Sequence, residues 1–338
     1  MKNKNMISEL LKTVNGGVYR ILFLVITVTV AENLNAQSVD VVVRDNGVER
    51  QESIDLPKSM TYPIDSLLND WKAKTYLQLG KDCNTSEENP YFSDSIYVDR
   101  LSRIPSVMEM PYNDVVRKFI DMYASRLREQ VSFMLSASNF YIPIFEEALD
   151  AYNLPLELKY LPVIESALNP SAVSRAGASG LWQFMIGTGK IYGLEVNSLV
   201  DERRDPIKAT WAAARYLKDL YEIYQDWNLV IAAYNCGPGN INKAIRRSGG
   251  KNDYWSIYNL LPKETRGYVP AFIAANYLMT YYCDHNICPM ETDIPANTDT
   301  VQVTKALHFE QIADICGISM EQIKSLNPPY RKNMIPGK

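Results

Sequence analysis

Glu165 is the residue of this sequence whose surroundings best suit proton transfer. It ends an apolar run that includes Val163 and Ile164, and it precedes a glycine-rich segment with Trp182 and Gln183. Because desolvation disfavours the charged form of a carboxyl group, this setting predicts a raised pKa. A carboxyl that is protonated near neutral pH can protonate a leaving oxygen, as cleavage of a glycosidic bond requires. Taken alone, a solvated carboxylate at a helix end is an equally good interpretation.

Four short motifs in a fixed order favour the catalytic interpretation. They are Glu165-Ser166, the turn Gly180–Gln183, the segment Ala233–Gly237, and Tyr268 within Pro262–Val269. In this order, and within roughly a hundred residues, they resemble the catalytic domain of the lytic transglycosylases. The Gly-Leu-Trp-Gln and Glu-Thr-Arg-x-Tyr-Val forms are most similar to the membrane-bound transglycosylase D group. The resemblance implies a mainly α-helical, lysozyme-like fold.

The resemblance also implies that one Glu performs both halves of the reaction. In lytic transglycosylases this residue first protonates the leaving GlcNAc oxygen. It then acts as a base toward the C6 hydroxyl of MurNAc, which closes a 1,6-anhydro ring without water. A pKa near ~6 serves both steps better than the reference value of ~4.3. For this chain the implied catalytic residue is Glu165.

A convincing second carboxylate is not visible in the sequence. Glu195, Glu202 and Asp205 lie on or before predicted helix starts, where negative charge is favoured, so we interpret them as capping or exposed groups. Glu264 is harder to dismiss, because it lies within the last family motif.

The matched motifs also supply the predicted substrate-binding residues. Gln183 offers an amide donor and acceptor for sugar hydroxyls, with Leu181 and Trp182 as an apolar wall. A Tyr268 phenol that donates to Glu165 would stabilise the carboxylate during the base step. Two alternatives remain open, in which Ser166 only ends its helix and the Tyr-Asn pair only forms a helix-terminating turn. The full predicted set is Ser166, Gln183, Met185, Tyr234, Asn235 and Tyr268.

Two positions depart from the family pattern. Gly189 stands where the family often has Ala, which weakens a helix by roughly 1 kcal/mol. Cys236 fills the variable position of Ala-Tyr-Asn-x-Gly. We expect no nucleophilic role for Cys236, because neither His285 nor His308 lies in a motif that would place a base beside it.

The first 36 residues are typical of a secretory signal peptide. Basic residues precede the apolar run Ile21–Val30, and a small-residue exit follows at Asn35–Gln37. The run is shorter than the ~20 residues of a membrane-spanning helix. No Cys follows it to accept a lipid. We therefore expect an exported, periplasmic protein, with association with the membrane or cell wall left open.

The charge balance argues against nucleic acid as a partner. Removing residues 1–36 takes four basic and two acidic residues from the chain's 35 and 39, which leaves a formal net charge of −6. A mildly acidic protein without a basic patch is a poor ligand for phosphate backbones.

Five cysteines, an odd number, predict at least one thiol that is free or paired between chains. Cys283 and Cys288 are near enough in sequence for a local disulfide in an oxidising compartment. The same segment contains His285, but a fourth ligand is not evident and the spacing matches no closed zinc site. We therefore predict neither a metal nor a cofactor.

Composition and periodicity divide the chain into five parts. Residues 1–36 are the signal peptide, and residues 37–105 form an N-terminal extension with no clear period. Helical periodicity marks residues 106–290 as a mainly helical domain, and the family resemblance implies that this is the transglycosylase domain. Turn-forming residues mark a linker at residues 291–300, and residues 301–338 form a small α+β segment.

Local signals predict several helix boundaries within the central domain. Pro155 is expected to open a helix that Pro162 kinks. Ser179 is expected to cap a helix that begins at Gly180. The pair Asp205-Pro206 predicts the start of a long amphipathic helix.

The C-terminal segment resembles the front of a LysM-like module. Val301–Val303 is its predicted first strand, followed by a helix, a turn and a second helix that stops at Asn327-Pro328. The closing strand would have to come from residues after Ile335, so the pattern is incomplete. A glycan-binding element and a structural appendage are equally good interpretations.

These observations together predict an exported enzyme that cleaves the MurNAc-β-1,4-GlcNAc bond of peptidoglycan without water. A hydrolytic muramidase with the same acid is the alternative within enzymes. A catalytically silent wall-binding protein is the alternative of another class. The expected partner is the peptidoglycan glycan strand, and the sequence does not identify protein partners.

Overall fold

The chain is mainly α-helical, as the sequence predicts. The computed structural model describes residues 38–45, 48–61, 88–290, 298 and 300–337, so the predicted signal peptide and most of the predicted linker lie outside the described residues. Within them, the strands form two small two-stranded sheets and helices fill most of the remainder. Among the described helices, none is both long enough and apolar enough to cross a membrane.

The elements follow one another as a hairpin, a run of helices, and a small C-terminal α+β unit. The strands are β1 (Ser38–Asp45), β2 (Val48–Asp55), β3 (Leu307–His308) and β4 (Met334–Ile335). The α-helices are α1 (Asp94–Arg103), α2 (Asp114–Ser125), α3 (Arg128–Ala151), α4 (Leu161–Ser166), α5 (Ile186–Ile191), α6 (Pro206–Tyr224), α7 (Trp227–Cys236), α8 (Pro238–Arg247), α9 (Tyr254–Ile257), α10 (Lys263–Tyr281), α11 (Phe309–Cys316) and α12 (Met320–Leu326).

The N-terminal hairpin is an ordered part of the fold, although its sequence shows no clear period. Strands β1 and β2 pair antiparallel and pack against α2 and α10. Val41 and Ile54 are almost fully buried in the common core. Arg266 of α10 forms an ion pair with Glu52 at 2.7 Å. Two strands alone are marginal in water, so the helices that cover this hairpin supply its stability.

The helix that carries Glu165 differs from its prediction. A single kinked helix was expected, but a 3₁₀ helix at Leu156–Tyr160 is followed by the six-residue helix α4. Pro162 lies in the first turn of α4, where a missing N–H costs nothing, and so it fits the start of the helix instead of kinking it. Ala167 and Leu168 both have positive φ, which ends α4 directly after Ser166.

The predicted helix at Gly180 is also wrong. Residues 179–184 form a turn closed by an antiparallel bridge between Ser179 and Phe184, and the next helix, α5, begins at Ile186. Gly180 has φ +85°, and a Cβ there would lie 1.8 Å from the backbone oxygen of Arg203. A residue with this positive φ cannot take the first helical position, and the close contact leaves no room for a side chain.

The helix start at Asp205-Pro206 is confirmed. The Asp205 side chain accepts from the N–H groups of Ile207 and Lys208, each at 3.0 Å, and α6 then continues to Tyr224. An Asp cap followed by Pro satisfies the first-turn donors, which is why this boundary is predictable.

The C-terminal unit is more complete than predicted. Its first strand is β3 at Leu307–His308, whereas no strand forms at Val301–Val303. Its closing strand is β4 at Met334–Ile335, which pairs antiparallel with β3. The predicted strand was therefore misplaced, and the closing strand ends at Ile335 instead of following it.

The local disulfide between Cys283 and Cys288, which their spacing allowed, does not form. Cys288 is disulfide-bonded, whereas Cys283 is a free, exposed thiol. The 3₁₀ turn at Tyr282–His285 intervenes, and Asn286 with φ +54° turns the chain before Cys288.

Candidate active site

A cavity of about 380 Å³ lies where the four sequence motifs meet. Of the seven residues predicted as catalytic or substrate-binding, Ser166 alone does not line it, and the predicted wall residues Leu181 and Trp182 do not line it either. The predicted lining residues are Glu165, Gln183, Met185, Tyr234, Asn235 and Tyr268. The other lining residues are Pro57, Ile164, Ser174, Ala176, Ala178, Phe184, Thr188, Tyr216, Cys236, Gly237 and Glu264.

Glu165 and Tyr268 form the central polar contact of this cavity. Glu165 is partly buried on the last turn of α4, and the hydroxyl of Tyr268 on α10 donates to its Oε1. Burial, and then the charge of Glu165, raise the pKa of Tyr268 well above its ordinary value. The phenol therefore keeps its proton and remains a donor to the carboxylate.

The backbone of α4 is anchored from both sides. The hydroxyl of Ser59, in the 3₁₀ helix Lys58–Thr61 after the hairpin, donates to the carbonyl of Ile164. On the other side Ser166 is fully buried, and its hydroxyl lies 2.9 Å from the carbonyl oxygen of Leu181. Ser166 thus connects α4 to the Gly-Leu-Trp-Gln turn, away from the cavity.

The Gly-Leu-Trp-Gln turn presents Gln183 to the cavity and buries the two residues before it. The indole of Trp182 is fully buried and donates to Oγ1 of Thr210 at 2.9 Å. Leu181 and Trp182 are therefore core residues, and the predicted apolar wall is wrong for both. Gln183 has φ +47°, and its Nε2 donates to the carbonyl of Gly180 at 2.8 Å.

The end of α7 delivers Tyr234 and Asn235. The Tyr234 hydroxyl donates to the carbonyl of Trp182 at 2.8 Å, so α7 holds the turn in place. Burial, and then the charge of Glu165, raise the pKa of Tyr234 well above its ordinary value. Oδ1 of Asn235 accepts from Oγ1 of Thr265 at 2.9 Å, which orients the amide. The helix then ends at Gly237, whose φ of +81° a residue with a side chain would adopt poorly.

Two further functional groups line the cavity. Glu264 brings a second carboxylate to it, on the first turn of α10. Cys236 is a free thiol, and burial raises its pKa, so it stays protonated and weakly nucleophilic. In the part of the chain that the structure describes, no group of three or more His, Cys, Asp or Glu side chains could hold a metal ion.

Several lining residues were not singled out in the sequence. Tyr216 of α6 packs its ring 5.3 Å from that of Tyr234, and Pro57 reaches the cavity from the N-terminal segment. Ser174 and Thr188 complete the polar lining. Tyr216 lies inside a long amphipathic helix, where an aromatic residue has no feature that separates it from a core residue, and no local pattern connects Pro57 to a site more than a hundred residues away.

Comparison with known families assigns the segment that contains three of the four motifs, all but the one with Tyr268. The transglycosylase SLT domain family matches residues 143–257. The chain contains a transglycosylase SLT domain. The LysM-like domain of lytic transglycosylase MltD matches residues 297–338, which covers the small C-terminal unit. The resemblance to lytic transglycosylases and the LysM-like assignment are thereby confirmed.

Curated relatives agree with the SLT domain assignment. The chain is 32% identical over 224 residues to membrane-bound lytic murein transglycosylase D of Escherichia coli K12, which is 65% of this chain and 49% of that protein. It is 33% identical over 124 residues to the soluble lytic murein transglycosylase of the same strain, covering 35% of this chain and 19% of the relative. The chain thus spans about half the length of the first of these relatives.

Among solved structures, the chain is similar to the 70 kDa soluble lytic transglycosylase of Escherichia coli. The similarity has a TM-score of 0.37 and 30% sequence identity, and it covers 42% of this chain and 24% of that one.

Proposed function

We propose that this chain is a peptidoglycan lytic transglycosylase that cleaves the MurNAc-β-1,4-GlcNAc bond and leaves 1,6-anhydro-MurNAc ends. The observation that carries the proposal is the Glu165–Tyr268 pair in a cavity lined mostly by residues of the SLT domain. The names of the curated relatives, which are lytic murein transglycosylases, support the same reaction.

In the proposed mechanism Glu165 acts twice. Protonated Glu165 first gives its proton to the leaving GlcNAc oxygen as the glycosidic bond breaks. The carboxylate that results accepts the hydrogen bond of Tyr268, which stabilises the negative charge inside the partly buried site. The same carboxylate then removes the proton of the MurNAc C6 hydroxyl, whose oxygen attacks C1. The proton returns to Glu165, and no water is consumed.

The remaining lining residues are proposed to hold the glycan. Gln183 and Asn235 supply amide groups for sugar hydroxyls and N-acetyl groups. Tyr234 acts mainly by fixing the turn that carries Gln183, since its hydroxyl is bonded to Trp182. Met185 is about half exposed and offers apolar contact to a sugar face. For Ser166 we propose a positioning role, through its contact with Leu181.

The direct test is digestion of purified sacculi followed by mass spectrometry of the products. We expect anhydro-MurNAc ends from the wild type. Glu165→Gln keeps the shape of the side chain but cannot exchange a proton, so we expect a loss of about 10²–10⁴-fold in rate with unchanged folding. A folded Glu165→Gln protein that works within about tenfold of the wild type would exclude Glu165 as the acid.

Hydrolysis by a muramidase is the second candidate, because Glu264 brings another carboxylate to the cavity. A second carboxylate could activate water as a general base. Reducing MurNAc ends in the same digestion, abolished by Glu264→Gln, would support this reaction instead. If the wild-type protein instead leaves the sacculi undigested but pellets with them, it is a wall-binding protein without activity.

We propose that the protein acts in the periplasm. The signal-like start of the sequence supports export, and so does the disulfide at Cys288, because disulfides persist in oxidising compartments. For the domain organisation we propose the ranges 106–290 for the catalytic unit and 301–338 for the LysM-like unit, as read from the sequence. Fractionation of cells that produce the tagged protein tests the location.

A further inference from the structure

A buried acid joins the LysM-like unit to the catalytic unit. Asp201 is fully buried, and its two oxygens accept from Nε and Nη2 of Arg203, each at 2.8 Å. Its Oδ2 also accepts from Nη2 of Arg331 in the LysM-like unit at 2.8 Å. Burial alone would raise the pKa of Asp201, but the two guanidinium groups hold it below its ordinary value. The acid therefore stays charged between two cations.

The Nη1 group of Arg203 contacts the wall of the cavity. Its Nη1 donates to the carbonyl of Gly177 at 2.8 Å and to that of Phe184 at 2.9 Å. These two carbonyls bracket the segment that contains Ala178 and Gln183, which line the cavity together with Phe184. One guanidinium thus fixes both ends of the turn that presents Gln183.

The space around Arg203 is shaped by glycines. A Cβ at Gly180 would overlap the Arg203 backbone, and a Cβ at Gly189 would lie 3.3 Å from the Arg203 Cγ. The departure at Gly189 therefore has a packing reason, since it leaves room for the Arg203 side chain. The turn and α5 close around this one arginine.

Backbone hydrogen bonds strengthen the junction. The Asp201 N–H donates to the carbonyl of Pro329, and the Arg331 N–H donates to the carbonyl of Leu199, both at 2.8 Å. The LysM-like unit is consequently fixed to residues 199–201 by main-chain and side-chain contacts together, beyond its covalent connection.

We propose that the LysM-like unit is a positioning element of the active site, in which Arg331 and Asp201 act through Arg203 on the turn that presents Gln183. Without Arg331, the buried charge of Asp201 loses one of its two partners, and the junction opens more often. The turn then loses its fixed geometry. The expected effect on turnover rests on the proposed function, whereas the effect on the turn does not.

The experiment compares four full-length proteins: wild type, Arg331→Ala, Arg331→Lys and Lys332→Ala. Lys332 is the adjacent, exposed basic residue and serves as the matched control. Amide hydrogen exchange is followed at Ser179, Gly180 and Gln183, whose N–H groups bond within or next to the turn. Turnover is measured at saturation with a short soluble glycan, so that capture of long strands by the LysM-like unit does not affect the measured rate.

We expect Arg331→Ala to raise exchange in the turn by about tenfold, which is the effect of losing a charge-assisted hydrogen bond on a local opening equilibrium. Turnover is expected to fall by about tenfold, because small misplacement of binding groups is costly in rate. Arg331→Lys restores a cation for Asp201 and should recover both quantities in part. Lys332→Ala should match the wild type in both.

The alternatives give different results. Faster exchange confined to residues 301–337, or a looser turn with unchanged turnover, would overturn the positioning role. A uniform rise in exchange across the protein would also overturn it, because that indicates general destabilisation. If the wild type releases no product, the proposed function fails, while a turn loosened by Arg331→Ala would still support the connection from Asp201 to the cavity wall.

Discussion

Tyr268 contacts the proposed proton carrier, Glu165, and this contact could be predicted from the sequence motifs. It donates to Glu165 from a helix more than a hundred residues away, and the family motif order predicted that contact. The motifs did not predict the surroundings of Ser166 and Trp182, which are both fully buried beside the cavity. A motif names neighbours along the chain, but it does not say which face of the backbone each side chain takes.

We expect the substitution Tyr268→Phe to change the pH dependence of the reaction. The phenol hydrogen bond favours the carboxylate form of Glu165, so its removal favours the protonated form and raises the pKa of Glu165. The alkaline limb of kcat/KM should then move upward by about one pH unit. The rate should also fall, because the base step loses its stabilising donor.

Tyr258→Phe is the matched control for that experiment. Tyr258 is buried outside the cavity, and its hydroxyl makes no hydrogen bond within the part of the chain that the structure describes. Its removal should leave both limbs of the pH profile in place. An unshifted alkaline limb in Tyr268→Phe would contradict the role assigned to the phenol.

At the scale of elements, boundaries set by local chemistry were predictable, and those set by distant contacts were not. The Asp205 cap and Pro206 satisfy their own helix start, so the prediction of α6 is confirmed. The turn at Gly180 is held by the backbone of Arg203, and the hairpin is completed by α2 and α10. No window of neighbouring residues contains that information.

The close contact between the hairpin and α10 predicts the effect of a single methyl group. A Cβ at Gly267 would lie 2.7 Å from Cγ2 of Ile54 and 2.8 Å from the backbone oxygen of Asp55. Gly267→Ala should therefore lower the free energy of unfolding by about 1–3 kcal/mol, because the hairpin must move outward. Urea unfolding measures this change.

Gly239→Ala is the matched control in the same assay, and we expect it not to lower the free energy of unfolding. Gly239 lies in the first turn of α8, and a Cβ there meets no atom within 4 Å. Helix propensity alone should make this variant equal to or more stable than the wild type, by up to about 1 kcal/mol. A stability loss of similar size in both variants would show that contact with the hairpin is not the cause.

At the scale of the whole molecule, a buried histidine sets part of the acid stability. His285 lies between Tyr277 at 3.0 Å and Asn89 at 2.8 Å. Burial, and then the charges of Arg100, Arg128 and Arg117, lower its pKa from 6.5 to about 4. Between these values the unfolded chain binds the proton and the native protein does not. The contribution of neutral His285 to the free energy of unfolding is therefore present above pH 6.5, and up to about 3 kcal/mol of it is lost as pH drops to 4.

We expect His285→Gln to unfold more easily at neutral pH, because it loses buried contacts, but to show a shallower loss of stability between pH 6.5 and 4. His308→Gln is the natural control, since His308 is the other histidine of the chain and its side chain is about half exposed. Thermal unfolding across this pH range measures both. Equal slopes for the His285 variant and the wild type would contradict the assignment.

The N-terminal hairpin also has a consequence for the order of folding. Glu52 pairs with Arg266 across 214 positions of the sequence, so the hairpin cannot dock on α10 until α10 has been made. Contacts of such long range give a high contact order and close late. We therefore expect the amides of β1 and β2 to gain protection after those of α2 and α3 in pulse-labelled refolding, and earlier protection of the hairpin would contradict this order. During synthesis from the N-terminus, the hairpin therefore lacks one of its two covering helices until α10 has been made, and a two-stranded pair that is marginal by itself stays open for longer than the helices that follow it.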